Sequence, residues 1–598
     1  MTALASKVRP VAVLGASLLL WMVIAGCNNQ PSTSPPPATT GGTTVGATDD
    51  TSAVTKRGGK SNGGTKRAPE TVARFVESAE KSGLRFTYRD GQGPGHASIV
   101  ESLGGGVGLL DFDGDGWTDI FLTGGGKFES PRTIAGEPGA LFRALGPDQY
   151  AEVTTVAGVG ESPYYSHGVA IADYDNDGFP DLLVTGYGGL RLFHNQGDGM
   201  FFESAQRAGL TDTSWSTSAG WGDLNGDGAA DLYVVHYVNW SFDNDPVCLG
   251  STPDERDICP PRKFEGLPDI LYFSNGDGSF RDGSKEAGLR ADGKGLGVVI
   301  GDLDLDGDLD IYVGNDTTPN FLYRNRGEGR FEETGEISGT ALSDRASADG
   351  SMGVDIGDYN LDGLPDLWVA NFENESIALY RNEGDCQFLH VSRSTGVTAV
   401  GGLFVSFGTL FFDLDRDGDE DVFVSNGHVI RYPTNSPVRQ PPLLFENRRG
   451  RFENVAPAAG PYLAEPHLGR GVACGDLDQD GDLDLVLSPM NEPAALLRNE
   501  TPTDNGWLCV RLVGVRSPRD AVGARLTLVT SAGKQTRQVK GGGSYLSHSE
   551  LACHFGIPQA ATVERLVIAW PSGLVQELAE IGINRRVTVI EPAVRKDP

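Results

Sequence analysis

Positive charge is what this sequence lacks most: 49 Lys and Arg stand against 81 Asp and Glu, leaving a formal charge of −32. So acidic a surface repels a phosphate backbone, which excludes nucleic acid as a partner. Cysteine is sparse, with 7 in 598 residues. The 9 histidines are scattered, without H-E-x-x-H or paired-ligand spacing, so there is no zinc signature. Gly-x-Ser-x-Gly and Walker-type phosphate loops are also absent. Long helical patterns are few, and the apolar run from Val11 to Ile24 is too short to span a membrane as a mature helix. With 82 glycines the chain reads as all-β, and its length calls for two or more domains.

What the chain has in abundance is one nonapeptide. It first appears as Asp111-Phe112-Asp113-Gly114-Asp115-Gly116-Trp117-Thr118-Asp119, and near-copies begin at Asp173, Asp223, Asp302, Asp358, Asp413 and Asp476. Positions 1, 3, 5 and 9 carry a carboxylate or amide, and position 6 is glycine. That spacing folds several oxygens around one hard cation, with calcium the first candidate. The expected ligands are Asp111, Asp113, Asp115 and Asp119; Asp173, Asp175, Asp177 and Asp181; Asp223, Asn225, Asp227 and Asp231; Asp302, Asp304, Asp306 and Asp310. Asp358, Asn360, Asp362 and Asp366, then Asp413, Asp415, Asp417 and Asp421, and Asp476, Asp478, Asp480 and Asp484 complete the set. Asn225 and Asn360 remove one charge each, so their loops should bind more weakly. Position 12 is apolar throughout, from Leu122 to Leu487, where an EF-hand needs glutamate; each loop feeds a strand instead. These loops hold 26 carboxylates, so most of the excess acid is ligand, and up to seven structural Ca2+ ions are expected to hold the fold together.

A second motif recurs between the loops, as in Leu192-Phe193-His194-Asn195-Gln196-Gly197-Asp198-Gly199 and Leu322-Tyr323-Arg324-Asn325-Arg326-Gly327-Glu328-Gly329. The unit is strand, acidic loop, strand, glycine turn, strand, repeated every 50 to 79 residues, which points to a propeller. A small residue stands five positions before each loop (Gly106, Gly168, Ser218, Gly297, Gly353, Gly408, Gly471), as a crowded innermost strand requires. The aromatic-acidic strand that follows loops one to six is missing after loop seven. Its counterpart lies at residues 74–84, which should pair near residues 484–498 and close a seven-bladed ring without exposed edges.

The ends carry their own signals. Lys7 and Arg9, the apolar run and Ile24-Ala25-Gly26-Cys27 read as an export signal over residues 1–26 resembling a lipobox, with Cys27 the lipidation site and a lipid anchor at the outer membrane or cell surface expected. Residues 27–70 are a Pro, Ser, Thr and Gly tether. Cys248 and Cys259 bracket a Pro-rich insertion and are the best disulfide pair; Cys509 and Cys553 are a second candidate, while Cys386 and Cys474 read as small apolar residues. Residues 503–598 reverse the charge, with 12 Lys and Arg against 8 Asp and Glu, and read as a separate β-sandwich. Gly541-Gly542-Gly543 reads as a turn.

The acidic loops and glycine turns of residues 71–502 resemble FG-GAP/VCBS repeats, which implies a propeller but no particular activity. Asp520-Ala521-Val522-Gly523-Ala524-Arg525, Gly541-Gly542-Gly543-Ser544-Tyr545-Leu546-Ser547, His554-Phe555-Gly556 and Trp570-Pro571-Ser572-Gly573 resemble the ASPIC/UnbV domain, which implies an extracellular location. The functional reading is a surface-tethered calcium-binding propeller acting as a binding or adhesion module for a protein or glycan ligand, which touches membrane only through its lipid and leans away from catalysis. A carbohydrate-active enzyme or accessory subunit is the alternative. His167, His428 and His467, with Tyr164, Tyr165, Trp215, Trp221, Tyr237 and Trp240, are candidates for a binding rim, set against a purely structural role. Docking of the basic C-terminal domain on the acidic ring is a further expectation.

Overall fold

The computed structural model describes residues 72–91, 96–130, 132–250, 252 and 255–593; the leader, Cys27 and the tether lie outside them. Each nonapeptide reverses the chain between two strands. In blade 1, Val107–Leu110 pairs antiparallel with Asp119–Leu122, and Ala140–Gly146 and Gln149–Glu152 add outward. The same order recurs from Tyr165–Ala172 in blade 2, Ser216–Gly222 in blade 3, Gly295–Gly301 in blade 4, Val354–Gly357 in blade 5, Ser406–Phe412 in blade 6 and Gly471–Gly475 in blade 7. These first strands touch one another in sequence, and blade 7's touches blade 1's, so they line the axis of a closed ring. The protein is an all-β seven-bladed propeller followed by a β-sandwich.

Closure is made by both ends of the repeat region. Phe75–Glu77 pairs with Ala495–Asn499, Phe75 opposite Asn499, and supplies the outermost strand of blade 7. Edge strands are thereby kept short and paired. The small residue before each loop is required by crowding at the axis: a Cβ on Gly297 would stand 2.2 Å from the Met352 carbonyl oxygen, and one on Gly353 2.1 Å from that of Phe407. Serine is tolerated in blade 3 because the Ser218 hydroxyl donates to the Leu296 carbonyl at 2.6 Å.

The asparagine of the glycine-turn motif fastens neighbouring blades. Asn195, Asn325, Asn382, Asn447 and Asn499 each donate Nδ2 to a carbonyl of the preceding blade's loop, that of Phe112, Leu224, Leu303, Tyr359 and Leu414 respectively, at 2.8 to 3.0 Å. Buried carbonyls need such partners, so the motif marks an interface between blades as well as a turn.

After blade 7 the chain builds two sheets. Gly506–Val513 pairs antiparallel with Cys553–Ile557 and parallel with Arg585–Ile590; Arg525–Thr530 lies between Gly533–Gln538 and Val563–Ala569, which pairs with Val575–Ala579. Leu508, Val510, Leu526, Leu528, Phe555, Leu566 and Ile568 fill the space between them. Cys248 and Cys259 form the expected disulfide. The candidate pair Cys509 and Cys553 does not: both thiols are free and buried. Register explains it, because Cys509 stands opposite His554 and Cys553 opposite Val510, which sends the two sulfurs to opposite faces of the sheet. Among the described residues no helix is long and apolar enough to cross a membrane.

Candidate cation-binding loops and the ring axis

The seven loops share one backbone. The position-6 glycine N–H donates to the position-1 carboxylate in every copy, at 2.8 to 3.3 Å. The position-7 N–H donates to position 5 in every copy. Position 6 adopts φ between 89° and 104°, which only glycine takes without strain. Position 4 is also left-handed, and in five loops a residue with a side chain is held there: Asn176, Leu305, Leu361, Arg416 and Gln479, with φ from 58° to 62°. Such strain persists where its surroundings over-determine it, and it is common at ligand sites.

Position 9 proves to have a second task. Its Oδ1 accepts the backbone N–H of the third strand in all seven blades, as Asp181 does from Asn195 and Asp366 from Asn382. A carboxylate oxygen has further lone pairs, so anchoring the strand and holding a cation are compatible. Burial drives these groups toward protonation, with Asp119 and Asp231 pushed up to about 8 and Asp366 to about 9, and nearby loop aspartates add to the rise. Asp173, Asp358 and Asp476 are raised to about 7, burial again the main cause.

The donor set is compatible with a hard cation. Asp111 Oδ1, Asp173 Oδ1 and Asp413 Oδ1 are buried without a hydrogen-bond donor, although burying an unpaired charge is expensive. The donor atoms of Asp111, Asp113 and Asp115, of Asp173, Asp175 and Asp177, and of Asp302, Asp304 and Asp306 converge within 4.8 Å in each loop. In blades 1, 4 and 7 the residue opposite position 9 is Arg143, Arg324 or Arg498, and its guanidinium reaches the loop carboxylates Asp113 and Asp115, Asp304, and Asp484. In blade 2 it is His194, with Nδ1 3.2 Å from Asp181 and 3.6 Å from Asp175; two acidic neighbours raise its pKa, the hydrogen bond to Asp181 first. These residues lie outside the nonapeptide, on the next strand of the same blade, and strand register brings them to it.

The sandwich lies over the loop face and touches every loop. Asp520 accepts the Asp173 N–H at 2.7 Å, Gln538 that of Asp302 at 3.1 Å, and the Gly556 N–H donates to Asp413 at 3.1 Å. His554 meets the Gly481 carbonyl at 2.7 Å, Arg511 approaches Asp111 at 3.8 Å, Arg516 lies against Gly228, and Thr536 lies beside Gly363. Behind these contacts run the ion pairs Lys540–Asp355, Arg537–Glu420 and Arg586–Glu550.

From this face one segment enters the axis. Gly541–Gly542 adds a fifth strand to blade 4, so the triple glycine is more than a turn. The chain then reverses at Tyr545, between Ser544 and Leu546 at φ 59° and 56°, and returns along blade 1. Backbone and hydroxyl hydrogen bonds tie the segment to Val107, Val169, Ser218, Val298, Val354 and Val472, while the Tyr545 ring meets Phe407 of blade 6 at 5.0 Å. All seven blades are engaged. The Tyr545 hydroxyl donates at 3.1 Å to the carbonyl of Leu103, which caps the single-turn helix Ile99–Ser102 at the opposite mouth. Tyr545, Leu546, Ile99, Val100, Trp215, Trp240, Cys259 and Phe264 form one apolar cluster there, and Arg470 donates from beneath it to the Ser102, Gly427 and His428 carbonyls.

The rim candidates fall on this covered side, except Trp221, which packs on Tyr174 near the loop face. Tyr165, Trp215, Trp221, Tyr237 and Trp240 are core, and only Tyr164 is partly exposed. His167 is buried in the channel wall, bonded to the Gly104 carbonyl and held down to about 4 by desolvation. His428 faces Glu373 at 3.6 Å, and His467 bonds Glu492 at 3.0 Å while stacking on Tyr462. Val247, Leu249 and Tyr432, at the edge of the disulfide insertion, are exposed on this side.

Comparison with known proteins follows the same division. The pattern described as FG-GAP-like repeat matches residues 111–184, 173–234, 266–313, 302–369 and 358–424, and that described as ASPIC and UnbV matches residues 514–596. Cartilage acidic protein 1 of Mus musculus is 27% identical over 512 residues, 80% of this chain and 72% of that protein; the Homo sapiens protein is 27% identical over 517 residues, covering 80% and 70%. Among solved structures, an Agrocybe aegerita lectin that recognises non-reducing terminal N-acetylglucosamine aligns at 18% identity and TM-score 0.36, over 65% of this chain and 91% of that one. Rhamnogalacturonan lyase YesW aligns at 13% identity and TM-score 0.30, over 83% and 92%. The chain thus carries FG-GAP-like repeats followed by an ASPIC/UnbV domain.

Proposed function

We propose that this repeat propeller is an exported, calcium-stabilised binding module, tethered at the cell surface through Cys27, whose ligand is a protein or glycan. Calcium would be held by the 28 loop positions, bringing positive charge to carboxylates that burial otherwise drives to protonate. The observation that carries the reading is the set of buried, donorless oxygens at Asp111, Asp173 and Asp413 inside loops that share one backbone hydrogen-bond pattern. The similarity to cartilage acidic protein supports a binding module.

The axis is filled by Tyr545 and both mouths are covered by the chain itself, so the ligand-engaging surface belongs on the outside. The side away from the sandwich, with Val247, Leu249 and Tyr432 exposed, is the surface to test. The test has two arms. Calorimetric titration with Ca2+ should show several bound ions, and chelation should lower the melting temperature by more than 10 °C. That follows because each site at hundredfold excess over Kd contributes about 2.7 kcal/mol. Glycan and protein arrays with and without calcium, using wild type and Leu249→Asp, then probe the surface. No bound calcium, or binding indifferent to Leu249→Asp, would remove the corresponding half of the reading.

A further inference from the structure

We propose that the C-terminal sandwich is the lid of the calcium sites, so that ion binding and lid docking strengthen each other. The inference rests on the calcium reading above. Its basis is what the lid covers. Asp173 and Asp413 are 4% and 2% exposed, and each keeps one oxygen with no donor. The domain that buries them supplies only part of the missing charge, and no hydrogen bond to either bare oxygen. Its lysine and arginines pair with Asp355, Glu420 and Glu550 instead, and its closest approaches to position-1 carboxylates, Arg511 to Asp111, Arg519 to Asp173 and Arg586 to Asp476, are 3.7 to 3.8 Å, beyond hydrogen-bond reach.

Docking therefore desolvates clusters of carboxylates while offsetting only part of their charge, which opposes docking. A divalent ion in the loop removes that opposition. Ions in the loops of blades 2 and 6 are then covered by Asp520 and Gly556 respectively, whose contacts with Asp173 and Asp413 stand over the position-1 ligands. Linkage makes the effect reciprocal: whatever factor calcium adds to docking, docking adds to calcium affinity. The axial segment reports docking directly, because the Gly543, Leu546 and His548 amides donate to Val298, Ser218 and Val107 of the ring.

Hydrogen exchange on the full chain, in Ca2+ and in EGTA at fixed pH and ionic strength, tests this alongside Ca2+ titration calorimetry. Amides at 543, 546 and 548 should exchange at least tenfold faster in EGTA, while those of Asp366–Val369 in the blade core change less than twofold. If calcium binds but the axial amides do not respond, the lid proposal falls and the calcium reading stands. If axial and core amides loosen equally, calcium stabilises the ring as a whole and the lid again falls. If no calcium binds, the calcium reading fails and takes the lid with it.

Discussion

Replacing Tyr545 by alanine should expose how much of the ring depends on the segment in its axis. The side chain is fully buried, its ring lies 5.0 Å from Phe407 and its hydroxyl meets the Leu103 carbonyl. Truncating a buried aromatic costs about 3–5 kcal/mol, and the upper half applies where the site cannot collapse. Here it cannot, because the surrounding strands are tied to one another by hydrogen bonds between blades. An unfolding entropy of about 2.1 cal/mol/K per residue over roughly 500 residues gives about 1 kcal/mol/K, so a single cooperative unit should melt about 4–5 °C lower. If the sandwich melted alone, its roughly 90 residues would give about 0.2 kcal/mol/K and a separate transition displaced by about 20 °C. Contact with all seven blades argues for the first outcome. Differential scanning calorimetry in calcium should show one transition, lowered about 4–5 °C by Tyr545→Ala and about 1 °C by Tyr545→Phe, which loses only the hydroxyl bond. A Tyr545→Ala protein melting within 1 °C of wild type would refute the view that this segment holds the ring.

Three further outcomes are expected. Leu305→Gly and Leu361→Gly relieve left-handed strain at φ 61° and 58° and should each stabilise by about 0.5–1 kcal/mol in urea denaturation, the gain reduced by glycine's greater freedom when unfolded. Asn382→Ala removes donors to the Leu303 and Pro365 carbonyls at 2.8 and 2.9 Å and should cost about 2 kcal/mol by the same assay, since both acceptors lose a buried partner. His548 is buried and held down to about 4 by desolvation, neither ring nitrogen having a partner among the described residues. Its folded pKa lies below its unfolded value, so the stability it contributes is complete above pH 6.5 and lost as pH falls through about 4, by about 3 kcal/mol. His548→Phe should flatten the stability profile across that window when measured in calcium.

The candidate loops were legible because their chemistry is local. A carboxylate at positions 1, 3 and 5 with glycine at 6 closes its own hydrogen bonds within nine residues, and the same pattern gave the number of blades. The missing outer strand after loop seven gave the closure at Phe75–Glu77, and the proline-rich bracket gave the cystine. The pairing of Cys509 with Cys553 stayed open because a sulfur's face depends on strand register, which spacing alone does not determine. The aromatic and histidine candidates followed from proximity to loops, but whether a ring faces water or core depends on what packs over it. Here the packing comes from segments such as Ile99–Ser102 and the disulfide insertion.

Repetition, a local property, determined from sequence alone that this chain makes a seven-part β ring with an acidic loop in every part and a separate basic domain behind it. The tertiary structure decided the rest. It set Arg143, His194, Arg324 and Arg498 beside the loops, laid the basic domain over all seven, and threaded Tyr545 down the axis. The first set follows from strand register within a blade and the other two join residues far apart along the chain; no local pattern of charge or hydrophobicity specifies which partner fills a given space.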